Sequence, residues 1–132
     1  METAITPDGA LLDELREMEP EEMLAWAFEH HGARAGIITS FQDTGCVMIE
    51  MASRVAPGLR VMTIDTLRLH HETYALMAEI EQRYGVTIER FDPDPDKLNK
   101  MVQRHGEYLF FDSKAKQEFC CQVRKVEPNV RA

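Results

Sequence analysis

The strongest constraint on this chain is an alternation that begins near residue 35. Short runs rich in β-branched residues (Ala35-Gly36-Ile37-Ile38-Thr39, Leu59 to Ile64 and Val86 to Phe91) are separated by segments of helical periodicity. The first such segment repeats Val47, Met48, Met51, Ala52 and Val55 and stops at Pro57-Gly58. The second repeats Thr73, Met77, Ile80 and Tyr84 and stops at Gly85. Strands separated by a whole helix pair in parallel, through right-handed crossovers. The expected fold class is therefore α/β, with a parallel sheet in a three-layer arrangement. In open sheets of this kind ligands sit beyond the carboxyl ends of the strands. Thr39 to Gly45 and Ile64 to Arg68 occupy those positions. The first segment brings hydroxyls, backbone N–H groups and a helix start, all suited to phosphate. In the second, Asp65 can accept from a ribose hydroxyl and Arg68 can pair with an anion. An Asp-Thr pair after a strand also serves as a plain helix cap, and the sequence leaves both readings open.

The flanking segments are helical. Thr6 is expected to cap a first helix, with Pro7 at its first position and Leu11, Leu12, Leu15 and Met18 on its apolar face. Pro20 opens a second, closed at Gly32. The stretch Asp92-Pro93-Asp94-Pro95-Asp96 is expected to be irregular, because two prolines fix φ and remove donors. A short helix carrying Leu98, Met101 and Val102 runs to Gly106, and Ser113 can cap a last helix bearing Cys120 and Cys121. The division that follows is a helical segment over 1–34 and an α/β domain over 35–132.

Charge narrows the partners. The net charge is −8, yet residues 97–132 carry eight basic against four acidic side chains. An acidic chain argues against general nucleic-acid binding, while a positive last third can serve a small anion. No apolar run approaches the roughly 20 residues that span a bilayer. The first residues lack the basic and apolar regions of a signal peptide, so a cytoplasmic location and no membrane contact are expected. Three cysteines are too few for a disulfide scaffold. Cys46, beside Val47, is expected to be buried. P-loop, dinucleotide-fingerprint, zincin and C-x-x-C patterns are absent, and the neighbouring histidines His30-His31 and His70-His71 do not share a helix face.

Three stretches carry a family resemblance. Val61-Met62-Thr63-Ile64-Asp65-Thr66-Leu67-Arg68-Leu69-His70 with Glu72-Thr73-Tyr74 resembles the "LDTGRL-x-PETY" segment of the PAPS/APS reductases, the sulfonucleotide reductases. Tyr84 to Glu89 resembles the "hYGI-x-IE" segment that follows it. Cys120-Cys121-Gln122-Val123-Arg124-Lys125-Val126-Glu127-Pro128 is similar to "CC-x-x-RKVEP", the most specific of the three. The likeness is greatest to assimilatory adenylyl-sulfate reductases. It implies an adenine-nucleotide alpha-hydrolase-like, Rossmann-like fold, cut after about three strands. It implies reduction of activated sulfate to sulfite, with release of AMP and a thioredoxin-type reductant, in sulfate assimilation. By position, Ser40 and Phe41 would belong to the phosphate or sulfate loop, and Ile64, Asp65, Thr66 and Arg68 would line the nucleotide site. Cys120 and Cys121 would be two of four ligands of a [4Fe-4S] cluster, with Arg124 and Lys125 beside cluster and substrate. Such cations favour thiolates.

Three departures accompany the likeness. The loop Ser40-Phe41-Gln42-Asp43-Thr44-Gly45-Cys46 replaces a family loop close to "SFSGAED", and Asp43 brings a carboxylate that repels phosphate. Leu67 stands where the family has glycine, so a left-handed turn there would strain it. The family's second C-x-x-C and its "ECG-x-H" nucleophile have no counterpart in these 132 residues. Three readings follow: a reductase or its amino-terminal portion, a non-catalytic adenine-nucleotide-binding relative, or an iron–sulfur module to which two chains each give a cysteine pair. An exposed edge at Ala35–Thr39 further leads to an expected homo-oligomer.

Overall fold

The computed structural model describes residues 8–132. Helix α1 spans Gly9–Glu17 and α2 spans Pro20–His31. Asp8 caps α1, its Oδ1 accepting from the Leu11 N–H at 2.8 Å. The expected cap at Thr6 and the proline at position 7 lie outside the described residues, and the helix starts later than the sequence suggests. Asp8 is the better cap because its short carboxylate reaches the third amide and adds negative charge at the positive helix end. Helix α2 begins at Pro20 as expected, with Glu22 Oε2 accepting from the Glu19 N–H at 2.8 Å. Its Leu24 and Phe28 pack on the main core.

Three strands follow: β1 Gly36–Ile38, β2 Arg60–Ile64 and β3 Ile88–Phe91. Helix α3, Asp43–Val55, joins the first two and α4, His71–Tyr84, the last two. The sheet order is β1-β2-β3 and both pairings are parallel, with Ile37 opposite Val61 and Val61 opposite Ile88. Two right-handed crossovers that step the same way put α3 and α4 on one face. Ile37, Ile49, Val61, Met77, Ile80 and Ile88 fill the space between helices and sheet. Each such side chain contributes roughly 1.5–3 kcal/mol on burial.

Helix α5 spans Pro95–His105, which corrects the expectation of irregular structure through Asp96. Pro95 is its first residue, where the missing N–H would have no partner anyway. Asp94 Oδ1 accepts from the N–H groups of Asp96 and Lys97 at 3.0 and 3.1 Å. These bonds hold the Asp94 carboxyl below its ordinary range, the Lys97 amide most of all. Helix α6, Lys114–Cys121, is capped by Ser113 as expected. It runs on through a wide π turn, Gln122–Val126, into α7, Glu127–Arg131. Met101, Leu109, Cys120 and Val123 form a second, smaller core there. Among the described residues no helix is long and apolar enough to cross a membrane.

The turns beyond β1 and β2 share an unusual backbone. Phe41 has φ 64° and Leu67 φ 62°, the only positive values at non-glycine residues among those described. The turn at Leu67 thus keeps the glycine-like conformation, and leucine bears the strain, about 1–2 kcal/mol for a left-handed L-residue. The two differ in what compensates. Phe41 is 7% exposed and belongs to the main core, whereas Leu67 is 50% exposed. Leu67→Gly should therefore leave urea stability unchanged or raise it by up to about 1 kcal/mol, strain relief outweighing glycine's entropy. Phe41→Gly should lose about 3 kcal/mol or more, because the ring leaves a cavity.

Candidate functional site

A cleft of about 470 Å³ opens beyond the carboxyl ends of the strands. Ile38, Thr39 and Ser40 line it from the β1 end, Thr63, Ile64 and Thr66 from the β2 end, and Lys125, Val126 and Asn129 from the carboxyl-terminal helices. A second cleft of about 270 Å³ is walled by Thr66, Arg68, Cys120, Cys121, Arg124 and Lys125. Thr66 and Lys125 border both.

Each wall has a local cause. Thr39 Oγ1 accepts from the Phe41 N–H at 2.9 Å, and Thr39 O accepts from Thr63 Oγ1 at 2.8 Å, which ties the first loop to β2. This seating requires glycine at position 45, since a Cβ there would lie 1.9 Å from Thr39 Oγ1. The glycine of this loop, shifted relative to the family pattern, thus serves a close approach in the first turn of α3. Asp43 is the first residue of α3 and stands exposed at its positive end. Ser40 is exposed in the cleft wall, while the Phe41 side chain points into the core. Cys46 is half-buried rather than buried, its Sγ donating to Phe41 O at 3.5 Å.

Asp65 is 5% exposed and committed within the second loop. Its Oδ1 accepts from the Leu67 N–H at 2.8 Å and from Tyr74 Oη at 2.7 Å. The Leu69 amide hydrogen-bonds the same phenol. Tyr74 therefore pins both ends of the loop from one atom, a role that sequence reasoning missed although the tyrosine sits one helical turn into α4. Arg68 is held away from the larger cleft. Its Nη2 pairs with Glu107 Oε1 at 3.1 Å, and its guanidinium lies 4.8 Å from the Tyr108 ring centre and 5.2 Å from that of Phe110.

Arg124 is 5% exposed and donates from Nη1 to Thr66 O at 2.7 Å. Its Nε is buried without a hydrogen-bond partner, as is Nε of Arg68. The neighbouring Lys125 is exposed and faces both clefts. Both lie in the π turn, where as in any helix adjacent residues point apart, so Arg124 goes inward while Lys125 reaches the clefts. No sequence signal marks that turn. Asn129 and Leu69 were likewise missed as cleft walls.

Cys120 is buried in the second core and Cys121 is half-buried at the smaller cleft. Among the described residues no three His, Cys, Asp or Glu side chains gather as a metal-holding group. A cubane iron–sulfur cluster wants four thiolates. The adjacent pair supplies two, so these residues by themselves do not complete such a site.

Burial and the bond to Asp65 raise the Tyr74 phenol above its ordinary value of 10.0, burial most of all. A raised pKa in the folded state means full stabilisation below pH 10.0 and loss as pH climbs through the folded value. The wild type should therefore lose more melting temperature above pH 10 than Tyr74→Phe, measured by circular dichroism across that range. Equal losses would contradict the contact. At neutral pH, Tyr74→Phe should cost about 1–2 kcal/mol, since it leaves a buried carboxylate without one donor.

Comparison with known proteins follows from this geometry. Residues 35–132 match the phosphoadenosine phosphosulfate reductase domain. The chain is 34% identical over 119 residues to an adenosine 5'-phosphosulfate reductase of Pseudomonas aeruginosa, covering 90% of this chain and 43% of that protein. It is 39% identical over 131 residues to one of Burkholderia cepacia, covering 98% and 50%. It thus spans half or less of the length of these relatives. The crystal structure of phosphoadenylyl-sulfate reductase from Candida auris, a phosphate complex, superposes with a TM-score of 0.78 at 26% identity, covering 97% of this chain and 63% of that one. Three parallel strands, the cleft at their carboxyl ends and the match over 35–132 agree: the chain belongs to the phosphoadenosine phosphosulfate reductase domain family.

Proposed function

We propose that this chain forms the nucleotide-binding part of a sulfonucleotide reductase that reduces adenylyl sulfate, or its 3'-phosphorylated form, to sulfite. The cleft at the carboxyl ends of the three strands carries the proposal, because it joins hydroxyls from two strand ends to an exposed cation, Lys125. In this reading Ile64 and Thr66 flank the nucleoside, and Asp65 acts through the loop shape it fixes. Ser40 and Lys125 meet the anionic end. Arg124 holds the loop after β2, and Arg68 stands at the neighbouring cleft as a second cation. The likeness to a reductase captured as a phosphate complex supports an anion there. Thioredoxin-type reductant is the proposed electron source, and three free cysteines suit a reducing cytoplasm. We assign Cys120 and Cys121 as two ligands of a [4Fe-4S] cluster that needs two more thiolates from outside these residues.

Asp43 favours a second reading. Its carboxylate occupies the positive end of α3, where a phosphate would otherwise gain most. That arrangement suits a relative that binds adenine nucleotide without reducing it. Turnover of adenylyl sulfate with thioredoxin by the full-length protein separates the two.

Calorimetric titration tests the binding claim. AMP and adenylyl sulfate should bind, adenosine should bind more weakly, and Lys125→Ala should weaken AMP about tenfold with an unchanged melting temperature, the scale of a charged hydrogen bond. Equal affinity for AMP in wild type and variant would refute the assignment of Lys125. Anaerobic purification with iron and sulfide assay tests the cysteine assignment. Cys120→Ser with Cys121→Ser should abolish any stoichiometric iron, and an iron-free wild type would remove the cluster.

We further propose a second copy of the chain against the β1 edge, where Ile38 is 50% exposed and the strand pairs on one side only among the described residues. Sedimentation at high concentration should show a dimer or larger species, and a clean monomer would overturn this.

A further inference from the structure

Arg68 is one of two arginines among the described residues whose buried Nε has no hydrogen-bond partner. Its side chain is 22% exposed, and its Nε is buried without a partner. Glu107 touches it end-on: Oε1 lies 3.1 Å from Nη2, and the Glu107 carbonyl accepts from the same nitrogen. Both contacts use one corner of the guanidinium. That corner is Nη2, the nitrogen that flanks Nε in the fork that grips an oxyanion with two parallel hydrogen bonds, so Glu107 fills one prong and leaves the Nε prong empty. Arg124 presents a second orphaned Nε in the wall of the same 270 Å³ cleft.

Glu107 is built to move and Arg68 to stay. The Glu107 side chain is 60% exposed. It follows Gly106, whose φ of 84° is open to glycine and strained for other residues, and it precedes Leu109, which is fully buried in the second core. The Glu107 side chain is thus set directly after a pivot and ahead of the anchored Leu109. Arg68 is fixed from both ends. Its backbone N–H donates to Thr66 Oγ1 at 3.3 Å, and the rings of Tyr108 and Phe110 pack against its guanidinium. Cation–ring contact persists whether or not a carboxylate is present.

We propose that Glu107 is a resident carboxylate on an anion seat at Arg68, and that an incoming oxyanion is taken up by exchange with it. Tyr108 and Phe110 are positioning residues that hold the guanidinium plane while the anions trade places. Once Glu107 has left Nη2, a tetrahedral oxyanion offers enough oxygens to engage Nη2 and Nε of Arg68 together with the Arg124 Nε, which one monodentate carboxylate does not. The exchange sets a threshold: a neutral or weakly charged ligand leaves Glu107 in place. Only the identity of the natural anion, a nucleotide's phosphate or sulfate, rests on the function proposed above.

Sulfate titration of the whole chain, followed by the arginine Nε–H cross-peaks in ¹⁵N NMR, tests this. Burial slows solvent exchange of the Arg68 Nε–H, and its loss in Arg68→Lys assigns the peak. Sulfate should shift that peak in the wild type. Glu107→Gln should lower the half-saturating sulfate about two- to fivefold, the worth of an exposed ion pair. Tyr108→Ala should raise it about threefold, and Tyr108→Phe should restore it, because the ring and not the hydroxyl is required. A peak that ignores sulfate, or moves at the same concentration in Glu107→Gln, overturns the proposal. AMP and adenosine are then titrated as separate arms. If sulfate moves the peak and AMP does not, the seat stands and the nucleotide reading falls. If AMP binds and Glu107→Gln changes neither anion, the nucleotide reading stands and the exchange falls.

Discussion

The hydrogen bond from Arg124 to the carbonyl of Thr66 ties the two halves of this molecule together. A guanidinium that is 5% exposed has given up most of its water, and an unpaired buried charge costs several kcal/mol. The bond offsets part of that loss only if the loop after β2 stands where it does. The loop in turn depends on Tyr74 and Asp65, and the carboxyl-terminal helices depend on Arg124 being drawn inward. Two packing units with separate cores, one around the sheet and one around Met101 and Leu109, thereby share a wall. Both clefts lie along that wall.

Much of the fold was legible in the sequence. Short runs of β-branched residues and helical periodicity placed three strands and the two crossover helices within a few residues. Pro20 and Ser113 were read correctly as helix starts, since their chemistry is local. Pro95 was not: beside Pro93 it suggested broken structure, although a proline costs nothing at the first helical position. Asp8, expected in the first turn, caps α1, and Thr6 lies outside the described residues.

The candidate site was legible at its ends and obscure at its joints. Topology alone pointed to the segments after β1 and β2, and the run of cysteines and cations at 120–125 named itself. What the sequence hid were contacts between distant segments. Tyr74 stood only in the family segment Glu72-Thr73-Tyr74, Glu107 was not singled out, and Arg124 and Lys125 looked like twins. Adjacent helix positions point apart, and only packing decides which of the two cations is buried.

The π turn has a consequence for how the carboxyl-terminal segment tolerates change in length. A π turn takes up one residue more than an α turn in nearly the same rotation, so α6 and α7 keep the mutual phase of a plain helix despite the surplus residue in Gln122–Val126. Losing one residue here would let the run close into uniform α-helix with that phase kept, and Pro128, now buried, and Arg131, now bonded to the Asp92 carbonyl, would stay against β3. A residue lost outside this stretch would instead turn everything beyond it by about 100°. Length is thus more freely adjusted at the π turn than elsewhere along these helices.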